Sequence, residues 1–206
     1  MQTLNRRSIL VLGASALALS ACKGGTGGAA TADDMTMGDS KAKVTVVEYA
    51  SFGCSHCGDW NREIFPQFKA KYIDTGKVFY VFREFLAGPT PLAVAGALLA
   101  RCAGKDKYFT VADAVFHAQP AIFQTGDMRG PLLQVAQSAG MTEEQFQACV
   151  SDEKAIKAFN DRYERHAKNA DIKGTPTFFF NDEPYGFAMT MADIDAAYAK
   201  ALAKAK

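Results

Sequence analysis

A Cys-x-x-Cys pair, Cys54-Ser55-His56-Cys57, stands between a strand-like run, Val44-Thr45-Val46-Val47-Glu48-Tyr49, and a segment that reads as a helix. That placement commits the chain to a strand, a turn and a helix with a thiol at the helix start. There the unpaired backbone N–H groups and the positive end of the helix dipole favour a thiolate over a thiol. A second thiol one turn further on lets the pair close into a small disulfide ring and reopen, which is redox chemistry that needs no cofactor. Half of a zinc site would need another ligand pair at similarly short spacing, and the sequence has none. The histidines His56, His117 and His166 are too scattered to suggest a metal cluster. Covalent haem attachment would require a histidine where Gly58 stands. Two buried thiols that only pack remain the bland alternative.

The chain of 206 residues, 49% of them hydrophobic, suits one soluble domain with an insertion. Its formal net charge of +1 offers no broad attraction to nucleic acid or to anionic lipid, so no nucleic-acid partner is expected. Residues 1–21 read as a signal peptide. Arg6-Arg7 precede an uncharged, largely apolar stretch from Ser8 to Ala21 that is too short to span a bilayer as a lasting helix. Asn5-Arg6-Arg7-Ser8-Ile9-Leu10 resembles a twin-arginine export signal, with a general secretory signal as the alternative. Leu19-Ser20-Ala21-Cys22 resembles a bacterial lipobox, which makes Cys22 the expected lipidation site and membrane anchor. Residues 22–34, rich in glycine, then read as a flexible tether, whose ten positions after Cys22 reach roughly 20 Å. Either export route leads to an envelope or periplasmic location, where disulfides persist.

Within the folded part, Met35-Thr36-Met37 reads as an edge strand and Val44 to Tyr49 as a central one. Cys54 to about Tyr72 reads as a helix interrupted near Pro66, because proline removes a backbone donor and crowds the preceding turn. The apolar run Val78 to Phe82 then completes a parallel β-α-β unit. The next stretch predicts helices over Leu92–Arg101, Tyr108–His117, Leu132–Ala139, Thr142–Val150 and Asp152–Lys168, the fourth with capping-box spacing at Thr142 and Gln145. Strand signals return at Thr177–Phe180 and near Pro184–Phe187, before a helix from Met191 to Lys204 that Thr190 can cap. There is no internal repeat.

Val47-Glu48-Tyr49-Ala50-Ser51-Phe52 leading into Cys54-Ser55-His56-Cys57, then Arg83-Glu84-Phe85, Ala100-Arg101-Cys102-Ala103 and Gly174-Thr175-Pro176-Thr177-Phe178-Phe179, occur in an order that resembles the thioredoxin-fold thiol-disulfide oxidoreductases, and among them the DsbA-like group. The resemblance covers roughly residues 35–204. It implies an α/β thioredoxin fold with a helical insertion: a first half over 35–90, the insertion over 91–170 and a second half over 171–206. It also implies that Cys54 is the exposed nucleophile and Cys57 the buried resolving thiol. His56 would add positive charge or a hydrogen bond near Cys54, against the alternative of a solvent-facing turn histidine. Thr175 and Pro176 would form a substrate-facing cis-proline site, although trans is the ordinary state of any single X-Pro bond. Glu48 would be a buried proton carrier for Cys57, against the alternative of an exposed edge-strand glutamate. Ser55 departs from the proline often found there in DsbA, which leaves the redox potential open. Trp60 reads as core.

Two cysteines, Cys102 and Cys149, remain in the insertion. An oxidising compartment permits a structural disulfide between them, and two separate buried thiols are the alternative. The function expected is an oxidase that introduces disulfides into exported proteins through a reversible Cys54–Cys57 disulfide, reoxidised by a DsbB-like membrane partner. A specialised reductase or isomerase is the rival within the class. A non-catalytic lipoprotein binding module is the rival outside it.

Overall fold

The computed structural model describes residues 29–169, 171–186 and 189–205. The expected signal peptide, the lipobox and Cys22 lie outside the described residues.

Five strands form one mixed sheet in the order β1 (Met35–Gly38), β3 (Val78–Glu84), β2 (Val44–Ala50), β4 (Thr177–Phe180), β5 (Glu183–Tyr185). β2 is central. It runs parallel to β3, with Val47 opposite Val81, and antiparallel to β4, with Glu48 opposite Phe178. β1 and β5 join antiparallel at the two edges. The pleat sends alternate residues to opposite faces. Val44, Val46 and Ala50 enter the large core with Tyr80, Phe82, Phe178 and Phe180, whereas Val47, Tyr49, Val81 and Phe179 form a smaller cluster on the other face. Glu48 shares the pleat side of Val46 and Ala50, which puts a carboxyl group into the large core.

α1 (Ser55–Glu63) follows β2, and the expected interruption falls at Ile64. Pro66 occupies the first turn of α2 (Phe65–Phe68), where its missing N–H has no helical acceptor to serve, and the segment continues as one π-helical turn over Lys69–Ile73. Trp60 is 4% exposed and packs against the rings of Phe65, Phe68 and Phe178.

The insertion comprises α3 (Thr90–Cys102), α4 (Tyr108–Thr125), α5 (Arg129–Ser138), α6 (Glu143–Val150) and α7 (Glu153–Ala167), and α8 (Met191–Lys204) closes the fold. Thr142 and Gln145 cap α6 reciprocally, as do Thr190 and Asp193 for α8. One boundary differs substantially from the sequence reading: α4 does not stop near His117 but runs through Pro120 to Thr125. Pro120 cannot donate to the Phe116 carbonyl. Arg62 Nη1 of α1 donates to it instead, at 2.6 Å, so the carbonyl keeps a partner and the helix goes on. β5 also begins one residue early, at Glu183, and Phe187 lies outside the described residues.

The insertion is fastened to the sheet by one buried carboxylate. Glu84, at the end of β3, is 2% exposed. It accepts from Arg101 Nε and Nη2 at 2.5 and 2.6 Å, Tyr108 Oη at 3.0 Å and Arg162 Nε at 3.2 Å, so α3, α4 and α7 converge on it. A charge so deeply buried is tolerable only with such partners. Cys102 and Cys149 are joined in a disulfide that ties the end of α3 to α6.

Candidate active site

The site forms where β2 gives way to α1. Cys54 is the N-cap of α1, with extended backbone (φ −91°, ψ 119°), and its sulfur accepts the Cys57 N–H at 3.4 Å. A helix-opening cysteine thus replaces the serine or aspartate that usually accepts there. Across from it, the Thr175–Pro176 bond is cis. The Cys54 thiol donates to the Thr175 carbonyl at 3.3 Å. β4 starts at Thr177, beside Tyr49 of β2, so sheet pairing delivers the proline loop to the cysteine.

The two thiols have opposite surroundings. Cys54 is 9% exposed and Cys57 is fully buried. The Cys54 thiol titrates far below its ordinary value of 9.0, at about 5. The main cause is the hydrogen bond from the Cys57 thiol, which outweighs the opposing effect of burial; the backbone N–H groups of Cys57 and His56 add to it. Cys57 is pushed well above 9.0, first by burial and then by its role as donor to Cys54, with the Cys54 and Glu48 charges acting in the same direction.

Glu48 is 2% exposed and accepts a short hydrogen bond from Tyr80 Oη at 2.5 Å. Burial raises its carboxyl from 4.5 to about 8, the Tyr80 bond opposes that rise, and the Cys54 charge adds to it. The exposed edge-strand alternative is thereby removed. The structure brings together Cys54, Cys57, Thr175, Pro176 and, beneath them, Glu48. His56 stands differently from the expectation. Its side chain is exposed, and its backbone N–H is the group that acts on the Cys54 sulfur.

Gln119 of α4 was not singled out from the sequence. It is fully buried, and its Nε2 donates to the carbonyls of Phe52 at 2.7 Å and of Cys54 at 3.2 Å, so the insertion holds the turn that carries the thiol. The signal was a glutamine at helical spacing with Val111 and Val115 in an otherwise apolar stripe. The approach is close enough to fix a second residue. A Cβ on Gly58 would lie 1.8 Å from Gln119 Oε1, so only glycine fits. Ser51 secures the same turn from the other side, donating to the Ala87 carbonyl at 2.7 Å and accepting from the N–H groups of Gly53 and Ala87, each at 3.2 Å.

The strand order, with a dithiol capping the helix after the central strand and a cis-proline loop against it, defines a protein of the thioredoxin-like class. The chain belongs to the thioredoxin family: residues 30–199 match its family model, described as Thioredoxin. A Rickettsia bellii relative assigned the name protein-disulfide oxidoreductase is 35% identical over 169 residues, which span 80% of this chain and 64% of the relative. The match therefore reaches less than two thirds of that relative's length. Among solved structures, alpha-DsbA1 of Wolbachia pipientis superposes with a TM-score of 0.71 at 27% identity, over 86% of this chain and 96% of that one. Oxidised BdbD of Bacillus subtilis superposes with a TM-score of 0.70 at 23% identity, over 82% and 93%, which is a likeness of fold.

Proposed function

We propose that this protein is a thiol-disulfide oxidoreductase working as an oxidase, with exported, thiol-bearing polypeptides as its substrates. The observation that carries the reading is the split between the two thiols: Cys54, expected to be exposed but in fact nearly buried at 9%, titrates at about 5, and the fully buried Cys57 is pushed well above 9.0. In the oxidised protein, a substrate thiolate attacks Cys54 Sγ, the Cys54–Cys57 bond breaks, and Cys57 leaves with the electron pair. Glu48, still largely protonated at neutral pH because its carboxyl titrates at about 8, can supply the proton Cys57 takes up. A second substrate thiolate then attacks the substrate sulfur of the mixed disulfide and Cys54 leaves as a thiolate. The substrate loses two electrons and becomes a disulfide, and the Cys54–Cys57 pair gains them.

The direction follows from the leaving group. At pH 7 the Cys54 thiol is about 99% ionised. Only the interval between about 5 and 7 counts toward stabilising the reduced form at that pH. After allowance for solvent screening at the open side of the sulfur, this amounts to about 2 kcal/mol, or about 45 mV for a two-electron couple. The stabilisation fades as pH falls through about 5. It makes the oxidised form the stronger oxidant, the logic established for DsbA. Export through the N-terminal segment, lipidation of Cys22 and reoxidation by a DsbB-like membrane protein complete the proposal; no helix among the described residues is long and apolar enough to cross a membrane.

Thiolate absorbance titration, combined with alkylation and peptide mapping, tests the assignment. The expected result is one transition near pH 5, Cys54 alkylated before Cys57, and oxidation of a reduced, unfolded protein by the oxidised pair. Preferential alkylation of Cys57, or an oxidised protein unable to oxidise dithiols, would overturn it. An oxidising equilibrium constant matched by a reduced state in the cell would instead mark a reductase.

A further inference from the structure

We propose that Tyr80 is the positioning residue of the Glu48 carboxyl: its hydroxyl holds one carboxyl oxygen, leaves the other to exchange a proton with Cys57, and so governs how readily Glu48 gives that proton up and takes it back. This rests on the proposed oxidoreductase reading and adds a residue to it.

The sheet register puts the two side chains within reach of each other. Val46 of β2 lies opposite Tyr80 of β3, and Glu48 lies opposite Phe82. Tyr80 is thus the diagonal neighbour of Glu48 on the same side of the pleat, a separation that a phenol can bridge. The ring has little freedom. It is 2% exposed and packs against Phe65 and Phe68 of α2 and Phe109 of α4, at centroid distances of 5.5, 5.9 and 5.9 Å. From there Tyr80 Oη donates to Glu48 Oε2 at 2.5 Å.

A hydroxyl buried this deeply has to donate to something, and among the described residues Oε2 is the acceptor it has. Oε2 is therefore occupied whether Glu48 is ionised or neutral, and in the neutral acid the proton sits on Oε1. Tyr80 does not carry that proton itself. Burial, and then the Glu48 charge, push its phenol well above 10.0, so it remains a donor. Its bond matters most once Glu48 has protonated Cys57 and a carboxylate is left in the core, because a hydrogen bond to the charged form is roughly twice as strong as one to the neutral form. That bond works against the burial that holds Glu48 at about 8. Without it Glu48 is the weaker acid, and at neutral pH less of it is ionised to accept the proton of Cys57 when the disulfide re-forms.

The other titratable groups that act on the pair are Cys54 and Cys57 from α1 and Tyr108 from α4, whereas β4 contributes Phe178 and α2 contributes Phe65 and Phe68, all without charge. Cys54 ionises at about 5, and Cys57 and Tyr108 are pushed well above 9.0 and 10.0, so a transition above neutral pH is that of Glu48.

The test uses the full-length reduced protein with Cys22→Ser, which leaves Cys54 and Cys57 as the free thiols, and a chromogenic aromatic disulfide. One coloured thiolate is released when Cys54 Sγ attacks the reagent. A second is released when Cys57 passes its proton to Glu48 and attacks Cys54 Sγ, so that the remaining half of the reagent leaves with the electron pair. The readout is the pH dependence of this second phase. Tyr80→Phe should move its midpoint up by about one pH unit and slow it about fivefold at pH 7, with the first phase unchanged. Site-specific 3,5-difluorotyrosine at the same position, a stronger donor of similar size, should move the midpoint down. In a Glu48→Gln background Tyr80→Phe should slow the second phase no further. An unmoved midpoint in Tyr80→Phe, shifts of the same sign in both variants, or an equal slowing in the Glu48→Gln background would overturn the proposal. The expected shifts in a protein whose oxidised form transfers no disulfide to a reduced, unfolded protein would instead overturn the oxidase reading and leave the role of Tyr80 standing.

Discussion

Glu48→Gln should make the protein more stable at neutral pH and slower at the same time, with a pH dependence fixed by the burial of one carboxyl group. In the folded reduced protein Glu48 titrates at about 8, against an ordinary value of 4.5 that the unfolded chain retains. A raised carboxyl pKa means that ionisation favours the unfolded state. The penalty on folding is absent below about 4.5, grows as pH rises, and levels off above about 8. Linkage gives about 1 kcal/mol of lost stability at pH 5 and about 3 kcal/mol at pH 7. Glutamine keeps the volume and an oxygen to accept from Tyr80 Oη but carries no charge. Its extra N–H donor adds a constant cost of about 1–2 kcal/mol if nothing accepts from it. That constant drops out of the slope. The stability of Glu48→Gln minus that of the unmodified protein should therefore rise by about 2.5 kcal/mol between pH 5 and pH 7. Urea unfolding at several pH values, with the Cys54–Cys57 pair reduced, measures the difference. In the oxidised protein, which has no Cys54 thiolate to repel the carboxylate, the rise should be smaller. The same variant should slow the step that moves a proton at Cys57. A stability difference that is flat across this range would refute the reasoning, because it would mean that Glu48 is already ionised in the native protein.

Gln119→Leu removes the donor shared by Phe52 and Cys54; the Cys54 carbonyl keeps the Gly58 N–H, but the Phe52 carbonyl is left without that bond. A loss of about 1–3 kcal/mol is expected, with a shift of the Cys54 thiolate titration; an unchanged titration would reduce Gln119 to packing. Replacing both Cys102 and Cys149 by alanine frees a loop spanning 47 residues and should cost about 4 kcal/mol in chemical denaturation, while oxidation of small dithiols by Cys54 persists.

The sheet was legible because its inner strands are runs of β-branched and aromatic residues and because Cys54-x-x-Cys57 marks the point where β2 ends. The helices of the insertion were legible in number and order, and their caps were written locally in Thr142–Gln145 and Thr190–Asp193. What escaped the sequence depends on partners far along the chain. Ending a helix at proline presumes that the carbonyl four residues back is orphaned, and Arg62, far away in sequence, supplies the missing donor to Phe116. Gln119 could not be read as a support for Cys54 until the fold placed the Phe52 and Cys54 carbonyls beside α4. Nor does the spacing of Cys102 and Cys149 state a distance; the packing of α3 against α6 sets their Cα atoms 6.3 Å apart. At His56 the residue type invited an electrostatic role for the ring; the ring is exposed, and Cys54 is lowered first by the Cys57 thiol, with the backbone N–H groups of Cys57 and His56 adding to it.

The insertion bears on the redox centre through contacts of two kinds. Glu84, with Arg101, Tyr108 and Arg162 around it, locks α3, α4 and α7 to the end of β3, on the strand adjacent to the one that carries Glu48. Because that attachment is a buried charge satisfied from three helices, losing one partner would strand the others, and the geometry has little freedom to drift. From this fixed mount α4 presents Gln119 to the Cys54 turn and, one helical turn further on, Phe123 to the hollow it lines with Cys54 and His56. The continuation of α4 past Pro120 is what allows both: a helix ending near His117 would hold neither side chain. Arg62 closes the circuit, since its bond to Phe116 runs from α1 back to the residue that proline deprives of a donor. The helix carrying the dithiol therefore helps preserve the helix that positions it, and the reactivity of Cys54 and the shape of the surface next to it are set by the same contact between α1 and α4.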